Sequence, residues 1–257
     1  MRCSLEWRIY FEANAQALLS IPWQIGPDLN AAEISALSRS ISEFQAGESS
    51  EGRHLFGLAR DYASKTGDLE YLKAIGLFIA EEQRHARDLG RVMTMNGIPL
   101  VKTTFTDRAF RRLRHTHRKL EISVGVLITA EIIAKVYYLI LREATQSAIL
   151  RRLCDQILQD EVRHVEFQAE QPARLRSGRG KVLSGVTIAL QRFLYFGTVL
   201  VVWVFHRAAI RRGGCAFNRW RKLCWFEFER ALGTSAPSQS PGAAPALGTP
   251  PAGQEPR

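Results

Sequence analysis

The feature that most restricts the fold is a charged motif that occurs twice on apolar helical faces. Segments 81–85 and 160–164 both have the pattern acid-Glu-x-Arg-His, and they lie 79 residues apart. Residues i and i+3 of an α-helix share one face, so each segment projects a glutamate and a histidine from the same side. A single Glu-x-x-His of this kind is commonly a buried ion pair or a helix edge. Two copies with the same flanking residues indicate a metal site instead.

Apolar residues surround both motifs at helical spacing. They are Tyr71, Ile75, Phe78, Leu89 and Val92 around the first motif, and Leu150, Leu153 and Ile157 before the second. Ionisable groups on such a face are costly to bury unless they are paired or bind a metal. Glycine and proline are sparse before residue 172, and patterns of period 3.6 dominate the chain of 257 residues. We therefore expect an all-α fold.

The same patterns divide the chain into four parts. We expect an N-terminal helix (4–19) and loop in 1–28, a four-helix bundle in 29–172, and basic, apolar helices in 181–232. The tail 233–257 is rich in Pro, Ala, Gly and Ser, which is typical of disorder. Within the bundle, we expect one continuous helix over about 34–62 and further helices over 69–95, from 120 onward and over 148–170, with Pro172 breaking the last. Gly67 is suited to end the first of these helices and Asp68 to cap the start of the next.

Carboxylates also occupy the apolar stripes of the first and third bundle helices. These are Glu48, with Glu51 one turn later, and Glu131. Glu48 precedes Glu82 by 34 residues and Glu131 precedes Glu161 by 30 residues, with a turn near the middle of each interval. Each lone glutamate should therefore fold back beside a Glu-x-x-His segment. A dinuclear carboxylate site has this composition, with one Glu from each of two helices and Glu-x-x-His from the other two.

Over about residues 30–170 the sequence resembles the ferritin-like diiron carboxylate superfamily. The segment 45–49 (QAGES) is similar to the first helix of rubrerythrins, and the two acid-Glu-x-Arg-His segments are similar to those of diiron monooxygenases and ribonucleotide reductase small subunits. The resemblance implies one set of metal ligands: Glu48, Glu82, His85, Glu131, Glu161 and His164. It also implies that Glu81, Asp160, Arg84 and Arg163 orient the ligating histidines.

Glu51 has two interpretations. It is either an additional or alternative ligand with a catalytic role, or a residue at the rim of the site that pairs with Arg53 or another base. Oxygen-rich ligation with two imidazoles suits two Fe ions, or Mn in one or both positions, better than Zn or Cu. The chain has no CxxC pair, so a full-length electron-transfer rubrerythrin is not expected.

Three functions follow from this pattern. The first is an O₂-dependent non-haem diiron oxidase or hydroxylase that acts on a small organic substrate and receives electrons from a reductase. The second is a rubrerythrin-like peroxidase or ferroxidase. The third is a non-enzymatic, membrane- or partner-binding helical bundle with a structural metal. The sequence leaves open whether the active unit is a monomer or a homodimer.

The charge of the chain bears on its partners. The formal net charge is +10, with basic clusters in 108–119 and 207–222. No aromatic-interleaved nucleic-acid motif occurs, so we expect no nucleic-acid partner. The uncharged run 193–205 is shorter than the ~20 residues of a membrane span and predicts a packed helix or peripheral membrane contact. Four dispersed cysteines and the lack of an apolar N-terminal segment predict a cytoplasmic protein, with peripheral membrane contact as the alternative.

Overall fold

A computed structural model describes residues 2–49, 52–101, 108, 120–176 and 181–232. These residues form helices joined by short loops and contain no strand, so the expectation of an all-α helical bundle is confirmed. The α-helices are α1 (Ser4–Asn14), α2 (Ala31–Glu48), α3 (Arg53–Thr66), α4 (Leu69–Met95), α5 (Leu120–Glu143), α6 (Ala148–Arg176), α7 (Lys181–Arg212) and α8 (Phe217–Leu232). A 3₁₀ turn, Trp23–Ile25, lies between α1 and α2. The tail 233–257 lies outside the described residues.

Local sequence signals fix several of these boundaries. The Asn30 side chain caps α2 by accepting a hydrogen bond from the Glu33 backbone N–H. The Glu33 carboxylate accepts one from the Asn30 backbone N–H, which completes a capping box. Gly67 ends α3 in the left-handed conformation, with φ of 78°. Asp68 then accepts from the Tyr71 backbone N–H at 3.0 Å and starts α4. The predicted turn between the third and fourth helices of the chain is thus confirmed at residue level.

Three helix boundaries differ from the sequence-based expectation. The continuous helix over 34–62 is wrong, because α2 ends at Glu48 and α3 begins at Arg53. The intervening region is rich in Gly and Ser, which are poor helix formers. Helix α6 continues through Pro172 to Arg176 instead of ending near residue 170, and α1 stops at Asn14 instead of residue 19.

The helices pack as two hairpins with additional helices on the outside. Helices α2 and α3 pack against α4, and α5 packs along α6. Contacts of α4 with α6 and of α3 with α5 join the two hairpins. Helix α1 lies on α4, while α7 and α8 cover α5 and also contact α2 and α6 respectively. The junction of the two hairpins is therefore enclosed on several sides.

Two buried apolar clusters flank this junction. One is formed around α1 and α4 and includes Trp7, Phe11, Phe78 and Phe167. The other extends over α2, α4, α5, α6, α7 and α8. Because apolar packing closes both ends of the junction, polar groups that lie between the clusters are removed from water.

Candidate metal centre

All six residues predicted as metal ligands lie together at the junction of the hairpins. Glu48 is the last residue of α2, Glu82 and His85 lie in the middle of α4, Glu131 lies on α5, and Glu161 and His164 lie on α6. The seventh predicted site residue, Glu51, lies outside the described residues.

The six side chains form two groups that could each hold one metal ion. The first group is Glu48, Glu82, His85 and Glu161, and the second is Glu82, Glu131, Glu161 and His164. Within each group, one ligand atom from every residue lies within 4.8 Å of the others. Glu82 and Glu161 belong to both groups. Two carboxylates shared between two positions, each completed by one further glutamate and one histidine, form the donor set of a dinuclear site.

Several donor atoms of this cluster are buried and lack a hydrogen-bonding partner among the described residues. Glu161 and His164 are fully buried, and His85 is 1% exposed. Five of the buried atoms form no hydrogen bond with any described residue: Glu82 Oε1, His85 Nδ1, His164 Nδ1 and both carboxylate oxygens of Glu161. A buried polar atom without a partner costs about 1–3 kcal/mol, and more when it is charged. A bound cation would satisfy all five, so the residues present fit a metal.

The distances inside the cluster are consistent with shared coordination. His164 Nδ1 lies 2.9 Å from Glu82 Oε1, 3.7 Å from Glu131 Oε2 and 3.9 Å from Glu161 Oε2. His85 Nδ1 lies 3.7 Å from Glu82 Oε1 and 4.0 Å from Glu161 Oε1. Atoms that bind one ion at about 2.1 Å are separated from each other by roughly 3–4 Å. Both histidines therefore present Nδ1 to the same space as the carboxylates.

The Nε2 atoms of His85 and His164 each contact a carboxylate of the other motif. His85 Nε2 lies 2.9 Å from Asp160 Oδ2, and His164 Nε2 lies 2.9 Å from Glu81 Oε2. The acid that begins each motif thus holds the histidine that ends the other motif. A carboxylate that accepts a hydrogen bond from the outer ring N–H fixes the tautomer and leaves the inner nitrogen free to bind a metal.

Asn14 joins the two outer carboxylates. Its side-chain amide donates to Glu81 Oε1 at 2.6 Å and to Asp160 Oδ1 at 2.8 Å. Asn14 is the last residue of α1, so the N-terminal helix braces both histidines through one side chain. Asn14 was not predicted from the sequence. A polar residue at a helix end does not indicate locally that it bonds to residues more than 60 positions away.

The two arginines of the motifs differ. Arg84 Nη2 donates to Asp160 Oδ2 at 2.6 Å, as the resemblance to diiron proteins implies for a residue that supports the histidines. Arg163 points outward and pairs with Glu166, with Nη1 to Oε2 at 2.8 Å and 37% of its side chain exposed. Among the described residues, no contact supports the expectation that Arg163 orients a ligating histidine.

Tyr138 supports the glutamate of α2. Its hydroxyl donates to Glu48 Oε1 at 2.6 Å, and its side chain is fully buried. This bond leaves the other oxygen of Glu48 to the cluster. Tyr138 follows Glu131 by seven residues, so the same helical periodicity that identifies Glu131 also places Tyr138 on its face.

The electrostatics of the cluster favour the binding of a cation. Burial raises the pKa of Glu161 well above its usual range, and the nearby Glu131 and Glu82 carboxylates raise it further. Burial and the Glu82 carboxylate likewise raise the pKa of Glu48. Burial alone would lower the pKa of His164, but the surrounding Glu131, Glu81 and Glu82 carboxylates raise it above its ordinary value. The cluster thus retains protons that a metal ion would displace.

A small cavity reaches the cluster between α3, α4 and α5. Its volume is about 40 Å³, and it is lined by Glu48, Gly52, Leu55, Phe78, Ile79, Glu82, Gln83, Leu127 and Glu131. A Cβ added at Gly52 would lie 2.4 Å from the Ile79 side chain, so the wall of the cavity has no room for a larger residue there. The cavity has room for a few water-sized molecules.

Comparisons with known proteins found no relatives. No family model, no curated protein and no solved structure matches the chain.

Proposed function

We propose that this protein is an O₂-dependent non-haem diiron oxidoreductase. The observation that carries the proposal is the sharing of Glu82 and Glu161 between two four-residue donor groups. An isolated buried ion pair or a mononuclear site would need only one such group. The crossed contacts of Asp160 and Glu81 with the two histidines add support, since they hold both rings with Nδ1 directed inward.

The donor set favours iron or manganese. Four carboxylates and two imidazoles are harder ligands than the thiolate-rich or imidazole-rich sets typical of Zn and Cu sites. Glu48 and His85 would complete one position, Glu131 and His164 the other, and Glu82 and Glu161 would bridge. Two iron ions held in this way can jointly supply two electrons to O₂ or peroxide.

The residues of the chain would bind, orient and shield the reacting centre. Tyr138 holds Glu48 through one oxygen. Asn14 ties together the carboxylates that orient the histidines. Phe78 and Leu127 line the cavity beside the donors and keep bulk water away from them. Electrons for repeated turnover would come from a reductase.

A cavity of about 40 Å³ restricts what reaches the donors directly. O₂ and hydrogen peroxide fit such a space, while an organic substrate would have to react at its outer end, near Gly52 and Gln83. The cavity therefore favours rubrerythrin-like peroxide reduction or ferrous-ion oxidation as the second candidate function. Oxidation of a small organic substrate stays the leading proposal, because an oxidant formed next to Phe78 and Leu127 would be sheltered from water.

The test uses the full-length chain purified from iron-supplemented medium. Metal content is measured by plasma mass spectrometry, and O₂ or peroxide consumption is followed after reduction. The variant is Glu161→Ala, and the matched control is Glu166→Ala, because Glu166 lies on the same helix but its side chain is 46% exposed. We expect about two irons per chain and O₂ consumption in the wild type and the control, with both lost in Glu161→Ala.

The outcomes separate the candidate functions. Oxygen consumption that rises when small organic compounds are added supports the oxidase. Rapid peroxide turnover that no organic compound changes supports the peroxidase. A folded protein that binds metal without any redox change contradicts both and leaves a structural metal in a helical bundle.

A further inference from the structure

Helix α7 exposes a continuous apolar stripe along one face. The most exposed residue is Phe193, at 81%, and its neighbours on this face recur at intervals of three and four residues. The stripe consists of Leu190, Phe193, Phe196, Leu200, Val201 and Val204, each at least 40% exposed. Contiguous apolar surface of this kind marks an interaction site.

The opposite face of α7 belongs to the protein core. Tyr195 donates through its hydroxyl to the Cys224 carbonyl at 2.6 Å, and His206 Nδ1 lies 2.8 Å from Ser40 Oγ. Tyr195 and His206 are 1% and 4% exposed. The helix is thus fixed along the side of the bundle, and it cannot cross a bilayer without breaking these contacts.

Helix α7 is more apolar than its packing against the bundle requires. Two helical segments among the described residues are long and apolar enough to cross a membrane: Ser123–Glu143 of α5 and Ala189–Arg212 of α7. The most apolar window is 67% buried in α5 but only 33% buried in α7. The apolar residues of α5 are mostly buried in the core, which explains its hydropathy. Most residues of the apolar window of α7 are not buried.

The net positive charge of the chain is concentrated in the sequence interval that contains this stripe. No Asp or Glu occurs between Glu170 and Glu227, an interval that contains eleven Arg and Lys residues. The remainder of the chain has a formal charge of −1, so this interval accounts for the whole net charge of +10. Arg207 and Arg211 are exposed and continue the stripe at its C-terminal end.

Aromatic residues border the same end. Trp203 and Phe217 have ring centroids 5.3 Å apart, and the Arg211 guanidinium lies 5.7 Å from the Trp203 ring. An amphipathic aromatic ring beside arginines, next to an apolar stripe, is typical of protein segments located at the boundary between lipid headgroups and acyl chains.

We propose that the outer face of α7 binds the surface of an anionic lipid bilayer. The stripe 190–204 would enter the outer acyl layer parallel to the membrane plane, and Arg207 and Arg211 would contact headgroup phosphates. A second copy of the chain fits this face less well, because an isologous contact would bring like-charged arginines together. A nucleic acid would leave Leu200, Val201 and Val204 without partners. The proposal does not depend on the metal chemistry.

The experiment is co-sedimentation of the full-length protein with vesicles of phosphatidylcholine alone or mixed with phosphatidylglycerol. The stripe variant is Phe193→Glu/Val204→Glu. The matched control is Ile9→Glu/Leu69→Glu, which makes the same chemical change at residues 52% and 60% exposed on α1 and α4. A charge variant, Arg207→Gln/Arg211→Gln, is compared with Arg60→Gln/Lys65→Gln on α3. Circular dichroism checks that each variant keeps its helices, and Leu200→Ser replaces the stripe variant if it does not fold.

We expect the wild type and both controls to bind mixed vesicles, with binding that weakens as salt is added. The stripe and charge variants should each partition at least about tenfold less. A wild type that stays in the supernatant at every lipid composition overturns the proposal. So does a stripe variant that binds as well as its control, a dimer formed without lipid that the stripe variant dissociates, or equal binding to DNA in competition with vesicles.

Discussion

The two acid-Glu-x-Arg-His segments are near-copies in sequence but occupy unequal surroundings. Asp160, which begins the second segment, accepts hydrogen bonds from Arg84, Asn14 and Gln156 and lies 2.9 Å from His85 Nε2. Glu81, which begins the first, has hydrogen-bonding contacts only with Asn14 and His164 among the described residues. The acid on α6 is therefore held more firmly than the acid on α4.

Glu161 and Glu82, the glutamates of the two segments, also lie in unequal surroundings. Glu161 is fully buried and both of its oxygens lack a hydrogen-bonding partner among the described residues, whereas the Glu82 side chain is 19% exposed and lines the cavity. The repeated motif thus brings a glutamate and a histidine to the cluster twice, but in different surroundings. We expect the α6 segment to anchor the metals and the α4 segment to face the entering molecules.

The largest expected effect is that of Glu161→Ala. This change removes a donor from both positions at once, so metal content should fall from about two ions per chain to well below one. Glu131→Ala removes a donor from one position and should retain about one ion. Plasma mass spectrometry after gel filtration measures both. Equal metal content in the two variants would show that Glu161 does not bridge.

The neutral variant Glu161→Gln separates metal binding from folding. Because burial raises the pKa of Glu161, an ionised side chain there is unfavourable in the metal-free protein. Its replacement by a neutral amide should therefore leave thermal stability in a chelator unchanged or raised, while metal binding is still lost. A large drop in melting temperature would contradict this explanation.

The next effect is the contrast between Asp160→Asn and Glu81→Gln. Each change weakens the hold on one histidine and should reduce metal affinity by about 10–100-fold. Asp160→Asn should be the more harmful, since it also disrupts a bond with Arg84. Competition with a chelator of known affinity measures the two variants side by side. A weaker metal affinity in Glu81→Gln than in Asp160→Asn would contradict this ranking of the two segments.

The pH dependence of stability should also distinguish Asp160. Burial alone would raise its pKa, but hydrogen bonds and charges from His85, Asn14 and Arg84 lower it below the ordinary value. The carboxylate therefore stabilises the fold above a pH of about 4, and this contribution is lost as the pH falls through the folded-state pKa. Acid unfolding followed by circular dichroism should show this loss in the wild type and not in Asp160→Asn. Identical acid transitions would contradict it.

Asn14→Ala should affect both halves of the site. It removes two donated hydrogen bonds and leaves Glu81 Oε1 without a hydrogen-bonding partner among the described residues, while Asp160 Oδ1 keeps the one from Gln156. We expect a cost of about 1–3 kcal/mol in the free energy of unfolding. Chemical denaturation measures the cost, with Asn218→Ala as a control at an exposed asparagine of α8. Metal affinity should fall at both positions, and a loss at one position only would show that Asn14 does not couple the halves.

The two arginines should differ between the segments, and Arg163→Gln should have the smallest effect of all. Arg163→Gln breaks an ion pair whose members are 37% and 46% exposed, which contributes at most about 1 kcal/mol. Arg84→Gln removes a charged hydrogen bond to a fully buried acid and should cost about 1.5–3 kcal/mol. Denaturant titrations of both variants compare them, and equal costs would remove the distinction between the two arginines.

The sequence predicted the parts of this structure that depend on one helix at a time. Helical periodicity identified Glu82, His85, Glu131, Glu161 and His164 on core faces, and cap signals located the Gly67–Asp68 turn. The spacing of the glutamates around each turn also predicted that Glu48 lies beside Glu82 and that Glu131 lies beside Glu161. These features are local or follow from the lengths of two helices.

The features that the sequence did not predict depend on contacts between distant elements. The crossed pairing of Asp160 with His85 and of Glu81 with His164 requires the relative rotation of α4 and α6, which periodicity does not specify. Asn14 acts across three helices. The close approach of Gly52 to the Ile79 side chain joins the start of α3 to α4, which periodicity along one helix does not reveal. The identical motif arginines diverge because one faces the outer carboxylate and the other faces solvent.

Anaerobic titration of the metal-free, full-length protein with ferrous iron tests the central claim most directly. Bound iron is measured by plasma mass spectrometry after equilibrium dialysis. We expect saturation at about two ions per chain, and binding of less than one ion in Glu161→Ala. Saturation at one ion, or no binding in a protein that keeps its helices, would contradict the dinuclear centre.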